Sequence, residues 1–170
     1  MTRPIPLLET WNRLQGLPGG GWLFQLMVRR TVPYTGALGA RVRTLEPGYA
    51  RTELRDRRGV RNHLGSVHAV ALVNLGEMTS GLALMSGLPA GVRSILVKIS
   101  AEYRKKARGT LTAEARVRIP EVTGPIDHAV EALIRNQAGE TVCRVEALWR
   151  LDLARTAPSL AGAAAGAAAG

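Results

Sequence analysis

A single carboxylate, Glu77, lies deep inside the most apolar stretch of this chain, RNHLGSVHAVALVNLGEMTSGLALMSG, residues 61–87. An unpaired carboxylate is expensive among apolar side chains. Glu77 therefore needs a partner, an aqueous cleft or a raised pKa. The chemistry open to it is that of any carboxylate, accepting a proton or attacking a carbonyl. The plain alternative is a side chain at an exposed helix edge, or one hydrogen-bonded to backbone. Other reactive groups are poorly arranged. His63 and His68 are five apart and would diverge on a helix, and His128 is isolated, so the histidines argue against a metal site. The glycine run at 19–21 lacks the GK[ST] ending of a phosphate-binding loop. Ser66 has no G-x-S-x-G frame. The one cysteine, Cys143, excludes an internal disulfide and sits in an apolar strand pattern that reads as inert core.

Glu77 must be positioned by a helix. About twenty residues run without proline and with many good helix formers. Ser66 is the expected N-cap, and Gly87 followed by Pro89 the expected stop. No face of this helix is fully polar, so it should be buried on most sides. Leu75, Met78 and Leu82 form one stripe; Val70, Asn74, Glu77 and Gly81 form another.

Most of the remaining chain reads as sheet. Strand signals begin near Gly36, with Leu38, Ala40 and Val42 alternating with Arg41 and Arg43, and Pro47-Gly48 is a hairpin turn. Ala50, Thr52 and Leu54 alternate with Arg51, Glu53 and Arg55. After the helix, Ile95, Val97, Ile99, Ala101 and Tyr103 are expected on one face of a strand. Leu111 to Ile119, residues 127–136 and residues 140–152 supply three more strands, the last two joined by a turn from Asn136 to Gly139. Period-two alternation means one buried and one wet face, hence an antiparallel sheet, here read as a meander. Residues 5–30 suggest one or two short helices around a GLPGGG break, with Trp11, Leu14, Trp22, Leu23, Leu26 and Met27 as the face that packs on the domain. A membrane-surface role for this piece is the weaker alternative. The expected divisions are an N-terminal helical segment at 1–34, a domain at 35–153 and a disordered Ala/Gly-rich tail at 154–170.

Length fits one domain with a real core. The formal charge of +10, from 23 Lys and Arg against 13 Asp and Glu, suggests a polyanionic partner or only an arginine-rich composition. With three Trp, three Tyr and one Phe, an aromatic platform for single-stranded nucleic acid is thinly supported. Nucleic-acid binding by the Arg-rich 51–61 hairpin ranks last. No segment reads as long and apolar enough to span a bilayer. The N-terminus does not read as a signal peptide, so a cytoplasmic address is the default expectation.

The segment N-x-x-G-x-x-H at Asn62, Gly65 and His68, with Glu77 nine residues after the histidine, resembles the hotdog thioesterases of the phenylacetate-pathway type. YRKKARGTL, Tyr103 to Leu111, is similar to the strand end, basic run and glycine-started next strand of those proteins. The longer pattern NHLGSVHAVALVNLGE resembles a functionally unassigned branch of the same superfamily. The resemblance covers about residues 35–152. It implies an α+β hotdog fold: an antiparallel sheet of five to six strands wrapped around one long central helix. His68 is followed here by Ala69 and Val70 where those proteins carry two glycines, and Leu96 stands where a strand Ser or Thr is common.

The resemblance further implies hydrolysis of an acyl-CoA or acyl-carrier thioester at a subunit interface. Spacing gives an independent reason for the interface: nine helical positions from His68 to Glu77 span about 13 Å, too far for one thioester carbon to touch both. Two antiparallel helices about a twofold axis would bring them together. Backbone N–H groups near His68 and Ala69 would polarise the carbonyl. Glu77 of the other subunit would be general base or nucleophile, and Asn62 would orient water or brace the loop. Gly65 and Asn74 would line the substrate, and Arg104, Lys105, Lys106 and Arg108 would hold CoA phosphates. The expected partners are a second copy, with a tetramer open, and acyl-CoA or an acyl-carrier protein. No cofactor or metal is implied, since CoA enters only as part of the substrate. The alternative is a non-catalytic hotdog module that binds acyl-CoA or acyl chains.

Overall fold

The computed structural model describes residues 7–154. Nearly all of the Ala/Gly tail therefore lies outside the described residues. Two helices flank the GLPGGG break as expected, α1 (Leu7–Gln15) and α2 (Gly20–Thr31), and a third that was not expected, α3 (Pro33–Leu38), follows them. Pro33 occupies the first turn of α3, where its fixed φ favours a helix start, and Gly39 closes α3 at φ 72°. These local signals override the alternation read from Gly36 onward, so the first strand begins only at Arg41. Trp11 and Phe24 meet edge to face, with ring centroids 4.9 Å apart. Phe24 is the inner residue of α2 and is fully buried, whereas Trp22 and Leu23, expected to pack inward, are exposed. Starting α2 at Gly20 sets this phase, because Gly20 and Phe24 then share the inner side.

The sheet comprises β1 (Arg41–Glu46), β2 (Tyr49–Leu54), β3 (Val92–Tyr103), β4 (Leu111–Arg116), β5 (Ile126–Arg135) and β6 (Thr141–Leu153). Its order is β1-β2-β4-β5-β6-β3, with antiparallel neighbours throughout. It is not the simple meander expected. The strand after the central helix goes to the far edge, beside β6, and the chain then crosses back to lay β4 against β2. Inward residues alternate as expected: Ala50, Thr52 and Leu54 on β2, and Leu111, Ala113 and Ala115 on β4 are all buried.

The long helix α4 (Ala69–Gly87) touches all six strands. A side chain at Gly76 would come within 2.5 Å of Val145 on β6. A β-branched valine cannot swing aside, so glycine sets how closely helix and sheet approach. On the other flank the Thr79 hydroxyl lies 2.7 Å from that of Thr52 on β2. The far end of α4 is pinned by Ser86, whose hydroxyl accepts from the amide of Gly48 and lies 2.6 Å from the carbonyl of Glu46. By length and composition α4 could cross a membrane, contrary to the expectation above, but two-thirds of that stretch is buried inside the domain.

β3 departs from its predicted pattern through a bulge between Leu96 and Lys98. The extra residue, Val97, breaks the period of two. Leu96, Ile99 and Ala101 pack against the core, while Ile95 is 64% exposed and Val97 and Tyr103 also face solvent.

Candidate active site at the start of the central helix

The loop before α4 is held by its own short polar side chains. Asn62 Oδ1 accepts from the amides of Leu64 and Ser66 (3.0 and 3.2 Å) and from the Ser66 hydroxyl (3.2 Å). Asn62 therefore braces the loop. Gly65 takes φ +66°, a left-handed conformation that favours glycine, and the space beside it is open. Ser66, committed to Asn62, is not the N-cap. That role falls to His68, whose Nδ1 accepts from the Val70 amide at 3.1 Å. With Nδ1 accepting, a neutral His68 carries its proton on Nε2.

The amides expected near His68 and Ala69 divide. The His68 amide donates to the Val60 carbonyl at 2.8 Å. Those of Ala69 and Ala71 have no acceptor among the described residues, as first-turn amides commonly do not. They sit at the positive end of the α4 dipole. Tyr103 closes in from β3, its hydroxyl donating to the Ala69 carbonyl at 3.3 Å.

Asp56, which the sequence reading passed over, organises the surroundings. Its side chain is only 6% exposed and accepts from Arg61 Nε (2.6 Å) and the Gly109 amide (3.1 Å). The Arg61 hydrogen bond is the main cause holding its carboxyl below the usual range, with the Gly109 bond assisting against the opposing effect of burial. The Val67 amide donates to the Ala107 carbonyl at 2.8 Å. The basic run after β3 is thereby laid beside the loop. Of that run, Arg104 is engaged by Glu102, and Lys105 by Glu140. Lys106 and Arg108 are exposed and make no ion pair among the described residues.

Glu77 lies two and a half turns along α4. It is half-buried, and its carboxylate has no hydrogen bond or counter-ion among the described residues. Burial raises its pKa above the usual carboxylate range. One turn earlier, Asn74 is 8% exposed and its Oδ1 has no partner among the described residues. Val70 and Met85, on the same side of the helix, are exposed. Between them Gly81 lies against Trp149 of β6, where an added Cβ would come within 3.1 Å, so this stripe is open at Val70 and Met85 and covered between. Cys143 lies in the core on β6, where burial pushes its thiol up to about 11. A thiol so protonated is unsuited to nucleophilic work.

A family model described as "Domain of unknown function (DUF4442)" matches residues 20–151. No curated protein matches the chain. Among solved structures, a Pseudomonas aeruginosa protein of unknown function, named a probable thioesterase, is 26% identical, with a TM-score of 0.70 over 81% of this chain and 97% of that one. A Haemophilus influenzae thioesterase is 17% identical, with a TM-score of 0.62 over 72% of this chain and 85% of that one. A thioesterase family protein from Silicibacter pomeroyi is 19% identical, with a TM-score of 0.64 over 76% of this chain and 96% of that one. The chain is similar to all three in its six-stranded antiparallel sheet wrapped on a central helix, the hotdog fold expected from its sequence.

Proposed function

We propose that this chain, which belongs to the DUF4442 family, hydrolyses an acyl thioester as a homodimer with composite sites. The observation that carries the reading is the solitary Glu77: a half-buried carboxylate with a raised pKa and no partner among the described residues. A structural carboxylate would be expected to find a donor, as Asp56 does. The exposed Val70 and Met85 of α4 and the exposed residues of β3 give a second copy somewhere to sit.

In the composite site the Ala69 amide of one subunit would donate to the thioester carbonyl oxygen, assisted by the helix dipole. Glu77 of the other would take a proton from water as the water oxygen bonds to the carbonyl carbon. The C–S bond then breaks, and the thiolate leaves with the proton that Glu77 returns. Direct attack by Glu77 would instead break the C–S bond to give a mixed anhydride, the thiolate taking a proton from solvent, and water would then open the anhydride to the free acid and the Glu77 carboxylate. Lys106 and Arg108 are the cations left to meet CoA phosphates, and that contact would weaken with salt. One observation favours the non-catalytic reading, acyl-CoA binding without turnover: the His68 amide is already spent on Val60, leaving fewer donors for a developing oxyanion.

A screen across short, medium, long and aromatic acyl-CoAs supplies the substrate, and subunit complementation then tests the site. Ala69→Pro removes the amide. Proline is tolerated at the first helical position, and His68, at φ −64° and ψ 141°, already has the conformation a residue before proline needs. Ala69→Pro and Glu77→Gln should each be inactive alone. Co-refolded, they should recover about a quarter of wild-type activity, since half of the dimers are mixed and each mixed dimer has one intact site. No recovery would place amide and carboxylate in one subunit and defeat the composite site.

A further inference from the structure

Exposed apolar side chains on a folded chain normally scatter. Here most of them gather in two places, β3 and the N-terminal helices. The second group is Leu17, Trp22, Leu23, Val32 and Tyr34, with Trp22 67% and Tyr34 73% exposed. On α2 the helical period places Trp22, Leu26 and Arg29 along one line and Leu23 and Arg30 beside it, opposite the buried Phe24. Leu17 stands at one end of this face; Val32 and Tyr34 stand at the other.

The unpaired charge on this face is of one sign. No acidic residue occurs between Glu9 and Glu46; of the arginines in that interval, Arg13 pairs with Glu9 and Arg43 with Glu53, while Arg29, Arg30 and Arg41 make no ion pair among the described residues. The outer face of the sheet differs, because Arg43, Arg144 and Arg150 there meet Glu53, Glu131 and Asp127 on neighbouring strands. Arg29 and Arg30 have no such partner among the described residues. Beside Trp22, between α2 and β1, a cleft of about 380 Å³ is floored by Leu26, Val28 and Met78 and edged by Arg29 and Arg41.

We propose that this face docks on an anionic lipid surface, with α2 lying flat in the headgroup layer. Trp and Tyr favour that depth. The arginines complement the lipid charge, and Leu23 and Leu26 bury their side chains below it. A second copy fits the face poorly, because a twofold contact would set Arg29 and Arg30 against their own images. Nucleic acid would leave the leucines without a role.

Sedimentation of the full chain with vesicles tests this. Phosphatidylcholine vesicles containing phosphatidylglycerol should bind it at least about tenfold more tightly than phosphatidylcholine alone, and added salt should weaken the binding. Trp11 and Trp149 are buried, at 4% and 7% exposure. Brominated lipid should therefore quench and blue-shift the emission of Trp22 while leaving the other two. Trp22→Ser with Leu23→Ser, and separately Arg29→Glu with Arg30→Glu, should each weaken binding about tenfold or more without lowering Tm, since the replaced side chains are exposed. No association with anionic vesicles at low salt overturns the proposal. So does unchanged binding in both variants, which would assign it to another surface. Loss of a subunit in the Trp22→Ser, Leu23→Ser protein by light scattering would make the face a protein interface instead.

Discussion

The two edges of the sheet are finished in opposite ways. At the β1 edge the chain closes itself. The side-chain amide of Gln25 on α2, oriented to donate to the Ala40 carbonyl at 2.9 Å and accept from the Val42 amide at 2.5 Å, takes the place of a neighbouring strand. At the β3 edge nothing among the described residues does so. A strand of 12 residues presents its free backbone with Ile95, Val97 and Tyr103 exposed. An unprotected edge with apolar residues invites another strand. Of the usual defences, charge and a bulge are present, at Lys98 and beside it, yet Ile95 and Val97 stay exposed next to them. One edge is closed within the chain; the other is left open among the described residues, and the proposed dimer would use it.

The sharpest way to break this contrast is to charge the open edge. Ile95→Lys with Val97→Lys should yield monomers by light scattering and lower hydrolysis by about 10²-fold or more, as composite sites are lost. A fully active monomer would mean that the edge is only a surface. Next in size is Glu77→Gln, which keeps the shape but cannot take a proton. Activity should fall by about 10²-fold while the dimer and Tm hold, separating the edge's role from the helix's. The same carboxylate sets a pH profile. Because burial raises its pKa, activity should rise with pH along a limb whose midpoint lies above the ordinary glutamate value, and the fold should lose some stability as that group ionises.

Asp56→Asn acts on the loop between the edges. Its carboxyl is held low in the folded state, so its stabilisation is present at neutral pH and disappears as pH falls through the folded value, which lies below the ordinary aspartate range. The Tm deficit of the variant at pH 7 should therefore shrink in acid. A pH-independent deficit would argue against an ionic role. Smallest is Gln25→Ala at the closed edge. The loss of two amide hydrogen bonds should cost about 1–2 kcal/mol in denaturant unfolding and leave the oligomeric state alone. A shift to larger oligomers would show that both edges are open once uncapped.

How much of this could be read from residues differs by element. The helix 69–87 was legible because length, composition and the Gly87 stop agreed. The hairpin at Pro47-Gly48 and the buried alternation of β2 and β4 were legible for similar reasons. Glu77 announced itself by being alone. The phase of β3 was not legible, because a bulge inserts one residue without changing composition. The edge position of β3 was hidden as well, since alternation reports a wet face and not a neighbour. His68 as cap displaced Ser66 because Asn62 captured the serine hydroxyl, a contact across four residues that competes with capping. Asp56 was hidden among arginines, and its importance comes from Gly109, 53 residues away.

The strand order also sets when each part of the molecule can be assembled during synthesis. α4 is finished at Gly87, yet β4, β5 and β6, which cover it, are encoded from Leu111 to Leu153. At about 5–20 residues per second, the 66 residues from 88 to 153 take the ribosome about 3–13 s. At the start of that interval the most apolar helix of the chain, long enough by composition to enter a bilayer, has only the β1–β2 hairpin and the N-terminal helices to shelter it, and its cover is complete only with β6. Nascent chains truncated shortly after Gly87 should accordingly engage chaperones or insertion machinery that the completed sheet excludes.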